Sequence, residues 1–294
     1  MSMFDVLGKY SVWAGLLFGL VSSNCLHAQG VVLNKNDFLK DYVFKGNHLQ
    51  VSLARLESFR AKLKRETGNY PAKSSLSPGL LLGLRYSINR SNKISWLAGA
   101  EAMLLGRNFK VRFDKDEFSP PLVSDYTNYG NRALLLDMVL SVPVWAERRW
   151  IYNNRKYVFA QSGIRLNFSL GADYDTYSIT LPNTASGFYE IVKVNVTANN
   201  EARPWLSIPI NMGHAWLLGN NNIIQLGLYS NTSFTRFVKG RYEIALPGQP
   251  ATTGKYSSSG SFFGVSLHYV FTSANYRIRK AYDKEISEDD TLKK

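Results

Sequence analysis

Residues 260–271 read G-S-F-F-G-V-S-L-H-Y-V-F, and the period of that stretch constrains the fold more than any other feature. One parity carries Phe263, Val265, Leu267, Tyr269 and Phe271; the other carries Phe262, Gly264, Ser266, His268 and Val270. Successive side chains leave a strand on opposite sides, so this alternation describes a strand with one apolar and one mixed face. The pattern recurs. Leu80, Leu82, Leu84, Tyr86 and Ile88 oppose Gly83, Arg85 and Ser87 over 79–90, and Ile94, Trp96, Ala98, Ala100, Ala102 and Leu104 answer them over 94–107. Further segments follow at 134–144, 157–172, 203–217 and 223–237. A tilted strand of about eleven residues suffices to cross the hydrocarbon layer of a membrane. The edge of a soluble sandwich would read the same way.

The ends of the chain bear on the compartment. Lys9 leads into the apolar run 12–21, and small residues at 22–28 precede Gln29. That run is too short for an ordinary transmembrane helix and reads as a secretory signal over 1–28, cleaved near Ala28. The only cysteine, Cys25, falls inside it, so the mature chain is expected to carry neither disulfide nor thiol site. Residues 29–47 read as a polar periplasmic lead-in and 272–294 as a polar periplasmic tail. No later run of about twenty apolar residues predicts a spanning helix. The net charge of +13 suits anionic lipid headgroups better than nucleic acid in an exported protein. Residues 48–64 fit either a distorted first strand or a helix, and the strand is favoured.

This gives an all-β chain: an eight-stranded antiparallel up-and-down transmembrane β-barrel over 48–271, with long extracellular loops and short periplasmic turns. The connections at 89–93, 146–156 and 218–222 are mostly shorter than those at 65–78, 107–131, 173–200 and 238–258, the asymmetry of an outer-membrane barrel. Within the third long connection, 173–181 and 188–197 read as a two-stranded extension, while 240–260 reads as a Gly/Ser/Pro-rich loop. Trp96, Trp145, Trp150 and Trp216 fall beside the short turns, where an interfacial girdle belongs; Phe109, Phe113, Tyr126, Tyr174 and Phe237 fall towards the long loops. A lipocalin-type barrel would turn its apolar face inward instead. Against this, the apolar faces are nearly free of charge, and the opposite faces are rich in Gly, Ser, Asn and Gln. Those polar faces also carry Arg85, Glu101, Asp137 and Arg165 at matching depth, a predicted charge network filling a lumen just wide enough for side chains.

Two strand motifs, Val142-Pro143-Val144 and Ile208-Pro209-Ile210, place prolines on the polar face, where each predicts a bulge or a strand end. With Ser77-Pro78-Gly79-Leu80 and the G-L-R-Y of 83–86, they resemble the Bacteroidota outer-membrane β-barrel family, the PorT-like group of OmpA-like transmembrane barrels. Gly264, Leu267, Tyr269 and Phe271 similarly resemble the closing-strand signal of such barrels, through which the barrel assembly machinery would act. The resemblance further implies an accessory role in protein secretion or envelope assembly, with the tail touching a periplasmic or secretion-system protein.

Chemistry is sparse. His48, His214 and His268 lie on separate strands without metal-ligand spacing, and no long loop pairs a histidine with a serine or carboxylate, so no enzyme, metal or cofactor is expected. Arg60, Lys62, Lys64 and Arg65, with Arg107, Lys110 and Arg112, are predicted to gather at the outer rim against lipopolysaccharide phosphates. The expected role is structural or surface-interacting, with a closed lumen. A narrow pore for small solutes is the alternative from the residues, and the secretion accessory is the alternative from the resemblance.

Overall fold

The computed structural model describes residues 43–44, 46–89, 91, 93–127, 135–153, 155–170, 174–198 and 204–274. The expected signal peptide, most of the lead-in and nearly all of the tail lie outside them. Eight strands close into one antiparallel barrel: β1 (His48–Ser58), β3 (Ser77–Asn89), β4 (Ile94–Arg107), β7 (Leu135–Asn153), β8 (Lys156–Ser169), β11 (Trp205–Leu217), β12 (Ile223–Ser233) and β15 (Phe262–Phe271). Each pairs with the next in this list, and β1 pairs with β15 to close the ring. The segment after His48 is therefore a strand. It stops at Ser58 and resumes as the short β2 (Lys62–Arg65).

The remaining strands are β5 (Arg112–Phe113), β6 (Tyr126–Thr127), β9 (Tyr174–Pro182), β10 (Phe188–Ala198), β13 (Arg236–Ile244) and β14 (Thr252–Ser259). Five strands form a second sheet in the order β2-β14-β13-β10-β9. Their chain neighbours in the barrel, β1, β15, β12, β11 and β8, stand side by side in that same order. The second sheet thus prolongs one side of the barrel wall past the long-loop end. The predicted extension at 173–181 and 188–197 is two members of this sheet, and the stretch expected to be a loop at 240–260 holds most of β13 and all of β14. β5 and β6 pair as a separate ribbon in the β4–β7 connection.

Burial follows parity. Buried and exposed residues alternate along β1 from His48 to Leu56, and the same alternation runs through β12. The exposed set is the apolar one: Leu82 is 53%, Ile164 60%, Leu206 57% and Leu228 67% exposed, while Arg85 and Arg165 are buried. The apolar face points outward.

Three expectations need correcting. First, most of the connection expected at 146–156 is strand: β7 continues to Asn153, because Trp145, Glu147 and Arg149 extend the inward parity of Asp137 and Ser141. Trp145 is consequently fully buried in the lumen rather than in a girdle. Second, Phe109, Phe113 and Phe237 do lie towards the long loops, as expected, but they are buried there rather than turned outward. The outward aromatics near that end are Phe59, Phe168, Phe234 and Phe263, while Trp96, Trp150 and Tyr152 are exposed near the short turns.

Third, the strands run through both prolines. The β4–β7 ladder lapses between Ala98–Val144 and Glu101–Ser141, and the β8–β11 ladder between Ser207–Arg165 and Ile210–Ser162. Proline has no N–H to donate there. In each register the proline faces a glycine, Gly99 opposite Pro143 and Gly163 opposite Pro209. A Cβ on Gly99 would strike the carbonyl oxygen of Leu84, and one on Gly163 that of Val144, so these glycines let the adjoining strand approach closely.

Candidate functional site

The inward face builds a filled lumen. At its centre Glu101, from β4, bridges two arginines. Its Oε1 accepts from Arg85 Nε at 2.8 Å and lies 2.6 Å from Arg85 Nη2, and its Oε2 accepts from Arg165 Nη2 at 2.5 Å. All three side chains are buried. The Arg85 guanidinium lies 4.5 Å from the Trp145 ring centre, and that of Arg165 lies 5.5 Å from Tyr229 and 5.8 Å from Phe262. Such faces attract cations most when water is excluded. Three members of the predicted network therefore meet, while the fourth does not. Asp137 stands four residues beyond Ser141, the residue opposite Glu101, so it sits about 13 Å further along the strand. It pairs with Arg107, whose Nη2 donates to Asp137 Oδ1 at 2.5 Å.

Below the triad a polar chain descends to the short-turn end. Gln161 accepts from Arg85 at 3.4 Å and donates to Glu147 at 2.6 Å, coupling the first ion cluster to a second. Glu147 pairs with Arg149, whose Nη2 donates to Ser95 Oγ at 2.8 Å. Gln225 donates to Glu147 at 3.3 Å and lies 2.9 Å from the Tyr157 hydroxyl. His268 contacts Ser52 and Asn211, each at 2.8 Å. At the mouth, Arg149 sits 4.3 Å from the Phe44 ring centre, and Phe44 packs edge-on against Tyr157. Val43 and Phe44 join Ala215, Leu217, Ile223, Val270 and Ala274 in an apolar plug, so the end of the lead-in expected to be polar is a stopper. A cavity of about 10 Å³ remains between plug and network, room for roughly one water.

Above the triad the lining turns apolar, which the residue pattern did not lead one to expect. Leu56, Leu81, Met103, Leu105, Val139 and Trp205 merge there with Phe109, Phe113, Phe118, Ile179, Val194 and Tyr242 from the long connections. Trp205 stacks on Phe237 at 4.8 Å. Tyr70 ties two loops together: its ring lies 5.2 Å from Phe113, and its hydroxyl is within reach of both the Arg112 carbonyl and Glu117 Oε2, the latter at 2.8 Å, and shares its one proton between them.

The predicted basic cluster divides. Arg107 is buried in its pair with Asp137, which removes it from the surface. Arg112 pairs with Asp114 at 3.2 Å on the β5–β6 ribbon, and Lys110 is half-buried beside it. Arg60, Lys62, Lys64 and Arg65 are exposed on and before β2. The residues that join them were missed: Lys255 lies opposite Lys64, and Arg241 opposite Lys255. Glu66 accepts from Lys255 at 3.0 Å; that bond first, and then the charges of Lys255, Arg241 and Lys64, hold its carboxyl below the usual range.

Leu267 and Phe271 of the closing strand are exposed on the outer wall with Tyr269 half-buried between them, and Gly264 lies on the inward parity against Arg55. Glu147, Arg149 and Tyr157 were the lumen groups that sequence reasoning missed, though the parity of Trp145 already pointed to the first two. Of the three histidines on described strands, His48 and His268 are buried on the lumen side, whereas His214 contacts Tyr152 and Trp216. Among the described residues no group of three or more His, Cys, Asp or Glu is placed to hold a metal.

No family model and no curated protein matches this chain. Among solved structures it is similar to the outer membrane protein OprG from Pseudomonas aeruginosa, at 13% identity over 77% of this chain and 96% of that one, with a TM-score of 0.39. It is also similar to the CymD monoaromatic hydrocarbon channel, at 10% identity over 84% and 94%, TM-score 0.28. A third is the beta domain of the Bordetella autotransporter BrkA, at 12% over 76% and 97%, TM-score 0.23. The fold stands on the strand pairing described above rather than on these likenesses.

Proposed function

We propose that this chain is a non-enzymatic outer-membrane β-barrel protein whose lumen is sealed and whose work is done by its outer surface. The membrane reading is supported by an apolar wall that runs around the ring of strands, from Leu82 through Ile164 and Leu206 to Leu228. Monomeric soluble proteins rarely expose contiguous apolar patches beyond a few hundred Å². A surface that encircles the molecule calls for an apolar medium rather than one partner. The row from Leu80 to Ile88, tilted as barrel strands are, covers roughly 20 Å of membrane normal, close to the band such barrels carry.

The observation that carries the sealed reading is the buried Arg85–Glu101–Arg165 triad, with Phe44 below it and the loop core above it. Conductance of full-length protein in planar bilayers tests it. No channel steps are expected beyond those of lipid alone, and steady steps at modest voltage would favour the narrow pore instead. An accessory role in secretion would be carried by the tail; deleting residues 275–294 and measuring secretion tests it.

A further inference from the structure

The outer wall changes character at the long-loop end. On β12 it carries Leu226 and Leu228; on β13, beyond the barrel, it carries Lys239, Arg241 and Glu243. On β1 it carries Leu49, Val51 and Leu53; on β2 it carries Lys62 and Lys64. Two cross-strand rows result. Lys239 lies opposite Ser257, and Ser257 opposite Lys62; Arg241 lies opposite Lys255, and Lys255 opposite Lys64. The inner faces of these strands are occupied, since Leu63, Tyr242 and Tyr256 belong to the core, so the cations stand on the solvent side.

The second row runs against the stability of its own sheet. Like charges directly opposite on adjacent strands repel, and here three cations occupy consecutive cross-strand positions. Glu66 offsets one of them, pairing with Lys255; Lys64 and Arg241 form no ion pair among the described residues. The next row balances itself, with Lys193 opposite Glu243. The charge without an ion-pair partner thus sits in the second row, on Lys64 and Arg241. Lys239 and Arg241 stand three and five residues past Arg236, the first pair above the barrel, or about 10 and 17 Å along the strand. This places them beside the layer that begins where the apolar wall ends.

We propose that Lys62, Lys64, Lys239, Arg241 and Lys255 form a flat docking surface for the phosphate groups of outer-leaflet glycolipid packed against this side of the barrel. The occupant is fixed by continuity, because the same wall that carries the apolar band below presents these cations beyond its upper end. The inference rests on the membrane reading given above and names the lipid chemistry that one sector of the surface selects.

Full-length protein reconstituted into zwitterionic vesicles doped with either a phosphorylated lipid A or its dephosphorylated counterpart provides the test, read as glycolipid retained per protein after washing. A cation near a charged membrane surface is worth about fivefold in binding. Wild type should therefore retain the phosphorylated form at least about fivefold better at low salt, with the preference shrinking at high salt. The exposed triple variant Lys64→Gln/Arg241→Gln/Lys255→Gln should insert equally well yet lose most of the preference. Equal retention of the two glycolipids, or an unchanged preference in the variant, would overturn the proposal. So would displacement by a soluble anionic polysaccharide at matched phosphate or carboxylate concentration, which would mark a polyanion site unrelated to lipid. Failure of wild type to insert into vesicles of any composition would instead overturn the membrane reading beneath it.

Discussion

Glu101 sits between two guanidiniums in the middle of the barrel, and that asymmetry makes a prediction at the scale of single residues. Removing one member of a buried ion pair leaves the other charge uncompensated, at a cost of about 3–5 kcal/mol. Glu101→Gln strands two arginines facing one another, whereas Arg85→Gln leaves Glu101 still paired with Arg165. Urea unfolding in lipid vesicles should therefore show Glu101→Gln destabilised by about 3–5 kcal/mol and Arg85→Gln by clearly less. A Glu101→Gln protein as stable as wild type, or an inverted order, would count against the triad. Parity alone made Arg85, Glu101 and Arg165 legible as lumen residues. It could not make Asp137 legible in the same way, because parity fixes the face and only the strand register fixes the depth. Arg107 was misplaced at the surface for a related reason: a terminal strand arginine reads as a rim charge until a carboxylate is found within reach of it.

At the scale of elements, the eight barrel strands were readable because each has one apolar face, whereas the five that prolong them were only partly so. β13 and β14 bury Tyr242, Ile244 and Tyr256 among glycines and serines, a weak alternation easily taken for a loop. β7 was cut short because Glu147, Arg148 and Arg149 look like a solvated turn; two of these charges neutralise each other inside, and Arg148 lies over Trp150 outside. The prolines misled in the opposite sense, since each strand passes its gap with a glycine opposite. The loop elements also yield a pH prediction. Burial first, and then the bond to Glu117, raise the Tyr70 pKa above its ordinary 10.0. The folded state thus favours the neutral phenol: its contribution is complete below pH 10 and is lost as pH climbs from there towards the raised value. Subtracting the alkaline absorbance titration of folded Tyr70→Phe from that of wild type should leave one phenol ionising above pH 10. A phenol titrating at or below 10 would contradict the contact that joins these loops.

The molecule as a whole is a sleeve with an apolar exterior around a plugged and charged interior, its wall raised on one side into a basic sheet. The two halves of that statement share one periodicity, so both can be tested along a single strand. The only cysteine is Cys25, so residues 26–294 carry no thiol that would compete in site-directed labelling. The most direct measurement is a spin-label scan of β3 in reconstituted vesicles, replacing residues 80 to 88 one at a time by cysteine. Labels at Leu80, Leu82, Leu84, Tyr86 and Ile88 should be relaxed by lipid-dissolved oxygen and shielded from a water-soluble relaxer, while those at Leu81, Arg85 and Ser87 should be immobilised and reached by neither. Labels at Leu82 and Leu84 that report an interior or aqueous setting, with Arg85 reporting bulk water, would contradict the account.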